Sequence, residues 1–210
     1  AFITVDEAGQ NTILVYGGAN MTLSATDVEM SADAFIGADF VVAQLEVPFE
    51  AIEQAFKIAR KQNITTVLNP APAIELPKSL LELTDIIIPN ETEAELLTGI
   101  SINNESDMKE TATYFLDLGI SAVLITLGEQ GTYCAYQEQY KMIPACNVKA
   151  IDTTAAGDTF IGAFLSELNK DLSNIESAIR LANQASSLTV QRKGAQASIP
   201  TRKEVEAEYN

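Results

Sequence analysis

The pattern of apolar and polar positions divides the chain into two kinds of stretch. Phe40–Gln44, Thr65–Leu68, Asp85–Ile88 and Ala122–Leu127 are short and almost wholly apolar. Between them, at 48–62, near 76–83, near 91–98 and at 105–118, apolar positions recur at three- and four-residue intervals. Strands apolar on both faces, alternating with amphipathic helices, predict a mostly parallel sheet covered on both sides, so the fold class is α/β. Ahead of this series, Ala1–Asp6 and Thr12–Tyr16 read as a hairpin turning at Glu7-Ala8-Gly9-Gln10, Gly17-Gly18-Ala19-Asn20 as a loop, and Ser24 as the cap of a first helix. A two-stranded hairpin alone is marginal in water and needs other strands to pair with. Beyond Gly128 come short antiparallel-looking strands at 131–136 and 140–143, an extended run Asn147–Ile151, helices at 156–168 and near 173–190, and a short terminal helix.

In open α/β sheets ligands bind outside the carboxyl ends of the strands, which directs attention to the residues just after each one. These are Glu46, Asn69, Asn90 and Gly128. Pro70 and Pro72 stiffen the second of these loops and are expected to forbid helix until Glu75.

Composition narrows the chemistry. With 210 residues and 47% hydrophobic content the chain can bury a sizeable core. A formal charge of −16 with no long basic run argues against nucleic acid or an anionic membrane surface as the main partner. There is no histidine, so Ser-His-Asp and Cys-His catalysis and His-ligated zinc are excluded. Cys134 and Cys146 are sparse and unpatterned, which fits core thiols in a reducing cytoplasm. No apolar run reaches membrane-span length and no leader is seen, so a soluble, unexported protein is expected. The chain opens on Ala1 and enters strand-like sequence at once, as expected of a piece of a longer protein.

The most informative stretch is Asp152-Thr153-Thr154-Ala155-Ala156-Gly157-Asp158-Thr159-Phe160. Small residues lead into an amphipathic helix, leaving its first amides uncovered. Unpaired N–H groups and the helix dipole make such a start an anion site. Asp158 in the first turn is either a helix cap or a carboxylate beside a bound anion. Asn90 and Glu93, three residues apart, form either a capping box or an oxygen pair suited to hydrated magnesium. Thr126-Leu127-Gly128-Glu129-Gln130-Gly131 is a glycine turn or a close approach to a nucleotide. Arg192-Lys193-Gly194 is a phosphate-binding pair or a cationic helix end before a glycine cap. Glu46 is a helix-start charge or a ligand contact, and Asn183 a solvated helix residue or part of a site.

Taken together these motifs resemble the ribokinase-like sugar kinases, the family that includes the phosphofructokinase-B type enzymes. The match runs over nearly the whole chain and is densest at Asn69–Ala73, Pro89–Glu95, Thr126–Gly131, Asp152–Phe160 and Arg192–Pro200. The resemblance implies a three-layer sandwich, with residues 1–20 contributing part of a β lid and 21–210 the nucleotide-binding and catalytic portion. It makes Ala155, Ala156 and Gly157 the anion hole and Asp158 the base, which also meets the substrate. It gives Asn90 and Glu93 a role in placing magnesium and phosphate, and puts Thr126, Gly128, Gly131, Gly157 and Asn183 at the ATP site. Glu46 would reach the sugar. Asp152, Thr154, Thr189, Arg192, Gly194 and Ser198 would enclose a monovalent cation, usually potassium, mostly through carbonyl oxygens.

The implied reaction is ATP-dependent phosphorylation of a pentose, D-ribose to D-ribose 5-phosphate. The loop after Asn69 together with Arg192–Ser198 favours ribose over the adenosine, fructose and pyridoxal substrates of other members. No Gly-x-x-x-x-Gly-Lys-[Ser/Thr] is present, so the chain is not a P-loop enzyme. The family's N-terminal part, with the aspartate that holds the sugar and a Gly-Gly-rich motif, has no counterpart here. Two other readings therefore stand: a related kinase acting on a nucleoside or another sugar, and a catalytically silent nucleotide-binding fragment. Family members commonly dimerise through the lid, so a homodimer is expected of the full-length protein.

Overall fold

A computed structural model describes residues 2–5 and 11–209. It divides into two compact units. The larger comprises Gly17–Leu127 and Tyr133–Met142, and the smaller comprises Ala1–Tyr16, Gly128–Thr132 and Ile143–Asn210.

The larger unit is built on a six-stranded sheet in the order β3-β4-β5-β6-β7-β8. Its strands are β3 (Phe40–Gln44), β4 (Thr65–Asn69), β5 (Ile86–Ile87), β6 (Ala122–Thr126), β7 (Gly131–Tyr136) and β8 (Gln139–Pro144). The first four are parallel, with Phe40 opposite Thr65, Val67 opposite Ile86, and Ile86 opposite Ala122. Val67, Leu68, Ile86, Ile87 and Ala122–Ile125 are all fully buried, as expected of parallel strands covered on both faces. β5 is shorter than the expected Asp85–Ile88, yet Ile88 N–H donates to Leu68 O at 2.9 Å and Asp85 N–H to Thr66 O at 3.1 Å, and Asp85 is tied to both neighbouring strands. Its carboxylate accepts from Thr66 N–H and Oγ1–H, both at 2.9 Å, and its carbonyl accepts from Ser121 and Ala122.

Between these strands lie α2 (Phe49–Lys61), α3 (Lys78–Leu81), α4 (Glu91–Thr98) and α5 (Glu105–Asp117), preceded by α1 (Ala25–Met30), which Ser24 caps as predicted. Ile52 and Phe56 of α2 pack with Leu45, Leu68 and Leu80. Ala112 and Phe115 of α5 pack with Ile87, Val123, Ile125 and Tyr133. Each fully buried aliphatic or aromatic side chain of this kind contributes about 1.5–3 kcal/mol. Helix begins only at Lys78, three residues later than the prolines at 70 and 72 required, because Pro77 is the N-cap. The expected loop at 17–20 ends in a short 3-10 turn, Gly18–Thr22.

The smaller unit holds β1 (Phe2–Val5) paired antiparallel with β2 (Asn11–Leu14), so the expected hairpin strands are present, while its predicted turn at Glu7–Gln10 lies outside the described residues. Three helices follow: α6 (Ala156–Glu167), α7 (Ile175–Thr189) and α8 (Arg202–Tyr209). Phe160 and Phe164 stack along α6 with ring centroids 6.2 Å apart. Ser186 of α7 donates to the carbonyl of Ala156 at 2.9 Å, and Val205 of α8 packs with Ala185 and Leu188. The run 147–151, expected to be extended, joins no ladder; Ile151 and Asp152 instead donate their N–H groups to the carbonyl of Val190, at 2.7 and 3.1 Å.

Among the described residues no helix is long and apolar enough to cross a membrane. Neither cysteine is in a disulfide; Cys134 is buried as expected and Cys146 half-buried.

Candidate active site

In the larger unit four predicted positions fall at the carboxyl ends of neighbouring parallel strands. Glu46 follows β3 and is half-exposed; beside it Leu45 N–H donates to the carbonyl of Ala71 in the proline loop. Asn69 spends its side-chain amide on the carbonyl of Ile88 at 2.8 Å, a structural use. Asn90, after β5, lies beside Thr126, at the end of β6, in a single parallel bridge, and Thr126 N–H donates to the carbonyl of Pro89 at 2.9 Å. The structure thus brings Asn90, Glu93 and Thr126 together.

Asn90 and Glu93 form a closed capping box at the start of α4. Asn90 N–H donates to Glu93 Oε2 at 2.8 Å, Asn90 Nδ2 to Oε1 at 2.9 Å, and Glu93 N–H to Asn90 Oδ1 at 2.8 Å. Glu93 is only 5% exposed, and that burial raises its pKa above the usual carboxylate value, the bond from Asn90 N–H offsetting part of the rise. Each Glu93 oxygen accepts one bond from Asn90 and keeps a lone pair, and a buried carboxylate held in this way suits a magnesium ion that keeps its water shell. Among the described residues no group of three or more acidic or cysteine side chains gathers as a metal cage.

The smaller unit carries the start of α6. Its N-cap is Ala155, held at φ 62°, ψ 11°, the left-handed region that a residue with a Cβ occupies at a cost of about 1–2 kcal/mol. No side chain caps this helix. Ala156 N–H reaches the carbonyl of Thr153 at 3.3 Å, and the first regular helical bond is from Thr159 N–H to Ala155 O. The N–H groups of Gly157 and Asp158 find no hydrogen-bond partner among the described residues. A Cβ at Gly157 would meet nothing within 4 Å, so the space over these amides is open. The Asp158 carboxylate is exposed and takes no hydrogen bond or ion pair from any described residue.

Asp152 fixes the approach to this helix. It is 8% exposed; its Oδ1 accepts from Thr154 N–H and its Oδ2 from Gly194 N–H, both at 2.9 Å. The bond from Gly194, then those from Thr154, hold its pKa below the ordinary aspartate value. Thr189 is fully buried and shares its one hydroxyl hydrogen between Thr159 Oγ1 and Ala185 O, each at 3.1 Å. Ser198, also fully buried, donates its hydroxyl to the carbonyl of Ala195 at 2.6 Å. Thr154 is buried as well. Asp152, Thr154 and Gly194 are therefore joined in one cluster of oxygen atoms and amides. An ionised carboxylate that accepts the two N–H bonds and a bond from the Thr154 side chain still keeps a lone pair, and a potassium ion prefers such neutral and anionic oxygens, so the donor set fits.

Several of the open alternatives are decided. The Arg192 guanidinium pairs with Glu204 at 2.8 Å, so a cation contact at this position would fall to its carbonyl. Gly194, at φ 97°, is no helix cap, because α7 ends at Thr189 with Val190 as its C-cap. Asn183 is not solvated: it is 6% exposed, accepts from Thr132 Oγ1 at 2.9 Å and donates to the carbonyls of Ile143 and Pro144 at 3.1 and 3.2 Å. Gly131, at φ 112°, is glycine because a Cβ would lie 2.2 Å from the carbonyl oxygen of Ile143. Gly128, at φ 53°, has open space around it.

Sequence reasoning passed over Glu204. Its Oε2 accepts from Thr201 N–H at 2.7 Å and Thr201 Oγ1–H at 2.8 Å, a capping box at α8 that the Thr-x-x-Glu spacing signals.

These features define an α/β protein with a helix start that no side chain caps and, beside it, an exposed carboxylate without a partner among the described residues. The chain belongs to the pfkB family of carbohydrate kinases, whose family model matches residues 1–202. It is 64% identical to the ribokinase of Staphylococcus aureus over 98% of this chain and 67% of that one. It is 45% identical to the ribokinase of Haemophilus influenzae over 97% of this chain and 66% of that one. Its fold matches the structure of Arabidopsis thaliana ribokinase complexed with ribose and ATP with a TM-score of 0.85 and 32% identity, covering 98% of this chain and 67% of that one. The α/β fold with a mostly parallel sheet is that of the three-layer ribokinase structures. The chain spans about two thirds of the length of these relatives.

Proposed function

We propose that the full-length protein phosphorylates D-ribose with ATP to give D-ribose 5-phosphate. The observation that carries this reading is the Asp158 carboxylate, exposed and unpartnered one residue after Gly157 at an uncapped helix start. A base must accept a proton from the sugar hydroxyl as that oxygen attacks the γ-phosphorus of ATP and the bond to the β-phosphate oxygen breaks. A carboxylate with no competing donor is free to do so. The amides at 155–157, of which Ala156 N–H also reaches Thr153 O while Gly157 N–H is open, would face the charge on the transferring phosphoryl group, in the manner of preorganised donors. The ribokinase relatives, and the relative complexed with ribose and ATP, support the choice of substrates.

Within this reading residues 1–20 form part of a β lid and 21–210 the nucleotide-binding and catalytic portion. Glu46 contacts the sugar, and Thr126, Gly128, Gly131 and Asn183 shape the nucleotide side, the last two by holding β7 and β8 in place. Asn90 and Glu93 would hold the water shell of magnesium, and Asp152, Thr154, Thr189, Arg192, Gly194 and Ser198 would hold potassium; the first ion would supply charge neutralisation at the phosphates and the second order at the start of α6. The enzyme works in a reducing cytoplasm as a homodimer.

The test is ATP-dependent phosphorylation across a panel of pentoses, hexoses and nucleosides, with and without potassium, using the full-length protein, the 210-residue chain and full-length Asp158→Asn. Ribose turnover that potassium enhances and Asp158→Asn abolishes is expected. Preference for a nucleoside would reassign the substrate, and full-length Asp158→Asn with most of its turnover intact would remove the base. Nucleotide binding without turnover by the 210-residue chain alone would make that piece a silent binding portion.

A further inference from the structure

The segment 189–194 touches the signature stretch at three places within the smaller unit. Val190 O accepts from the N–H groups of Ile151 and Asp152, Gly194 N–H donates to Asp152 Oδ2, and Thr189 Oγ1 donates to Thr159 Oγ1. Asp152 passes this tie on through Oδ1 to Thr154 N–H, one residue before the left-handed Ala155. Toward α8 the same segment is held by Arg192, whose Nη2 donates to Glu204 Oε1 at 2.8 Å, while Gln191 Nε2 donates back to the carbonyl of Ser187 in α7 at 3.0 Å. Glu204 is itself immobilised, because its second oxygen accepts both donors of Thr201. Helix α8 is anchored independently by Arg202, which pairs with Glu167 at the end of α6 and with Glu206.

We propose that Glu204 is a positioning residue for the start of α6, acting through Arg192 on the 192–194 turn, and through the bond from Gly194 N–H to Asp152 on the Thr154–Ala155 backbone. Its value is geometric. Arg192 and Glu204 retain 36% and 45% of their side-chain exposure, and ion pairs so exposed add little to global stability. A carboxylate already fixed by Thr201 nevertheless restrains the arginine at low entropic cost, and small displacements at a reacting centre are costly to rate. The proposal rests on the reading of Asp158 as the base.

The experiment uses the full-length protein with Glu204→Gln, which keeps an acceptor for Thr201 and removes the charge, together with Arg192→Gln and the double variant. Amide hydrogen exchange is expected to quicken by about 3–10-fold at Gly194 and Thr154 in each single variant, without a shift in melting temperature. The turnover number for ribose falls by about the same factor at unchanged KM, and the double variant is no worse than either single one. Wild-type exchange at Gly194 and Thr154 in Glu204→Gln, additive losses in the double variant, or altered exchange with unchanged turnover would each overturn the proposal. If the wild-type protein phosphorylates no sugar, the reading of Asp158 fails on that result, while the exchange data still decide whether Glu204 orders this backbone.

Discussion

Helices α4 and α6 begin in opposite ways. α4 begins with Asn90 in extended conformation, φ −85°, ψ 179°, and a capping box that satisfies both partners and buries the Glu93 carboxylate. α6 begins with Ala155 in the left-handed region, no side-chain cap, amides without partners and an exposed Asp158 carboxylate. One helix start is closed upon itself and the other is left open to a ligand. A carboxylate that already serves its own helix has little capacity left for chemistry; one that does not serve it contributes little to the fold. The two starts should therefore respond in opposite ways to substitution, the first in stability and the second in turnover.

The largest effect separating them is expected from Asp158→Asn. Turnover should fall by about 10²–10⁴, the usual contribution of a positioned general base, measured at saturating ribose and ATP. Stability should fall by less than about 1 kcal/mol, the worth of a charge in the first helical turn, because no described residue bonds to this side chain. A loss of several kcal/mol in urea unfolding would show that Asp158 is structural, and the contrast between the two helices would disappear.

At α4 the order reverses. Asn90→Ala removes the cap and strands a buried carboxylate, and should cost about 1–2 kcal/mol in urea unfolding. Glu93 gives the same helix a pH signature. Its pKa is raised in the folded state, so the folded form binds a proton more readily than the unfolded chain does. That contribution is stabilising below the usual glutamate value and is lost as pH rises through the folded value. Asp152 has the opposite sign: its lowered pKa contributes stability above the usual aspartate value that is lost as pH falls below it. Glu93→Gln should therefore gain stability relative to wild type as pH rises above the usual glutamate value, measured as the difference in urea midpoint. A difference that stays flat over this range would mean that burial does not strain Glu93.

How much of this could be read from the sequence depends on how local each determinant is. The parallel strands were legible because burial on both faces requires the unbroken apolar runs at Val67–Leu68, Ile86–Ile88 and Ala122–Ile125. The cap at Ser24 and the capping box at Asn90 were legible because their partners lie three residues away. Asn183 was not, since its partners Thr132, Ile143 and Pro144 stand 39 to 51 residues off and no periodicity encodes them. Gly131 is of the same kind: its need for glycine comes from the backbone of Ile143–Ala145. For α8, the Thr201–Glu204 spacing was readable while the reach of Glu204 to Arg192, 12 residues away, was not. The open start of α6 was half legible. Small residues announced uncovered amides, but the left-handed Ala155 and the tie from Gly194 to Asp152 emerge only when the 189–194 segment folds against the signature stretch.

The smallest prediction tests that half-hidden feature. At φ 62°, ψ 11° alanine sits where its Cβ crowds the following carbonyl, at a cost of about 1–2 kcal/mol, and glycine relieves this at the price of about 0.5–1 kcal/mol of added chain entropy in the unfolded state. Ala155→Gly should therefore leave the protein more stable by about 0.5–1 kcal/mol, with turnover unchanged because the backbone keeps its path. Ala155→Val should lower both, since a β-branched side chain is poorly tolerated in this conformation. At the other helix start the same replacement acts in the opposite direction. Asn90→Gly adds no conformational relief, the native backbone there being extended, and removes the side-chain bonds to Glu93. Melting curves of the two glycine variants should thus move apart, Ala155→Gly upward and Asn90→Gly downward. A downward shift in both would mean that Ala155 is not strained, and that the open start of α6 owes its geometry to its neighbours in the smaller unit rather than to a conformation imposed on this residue.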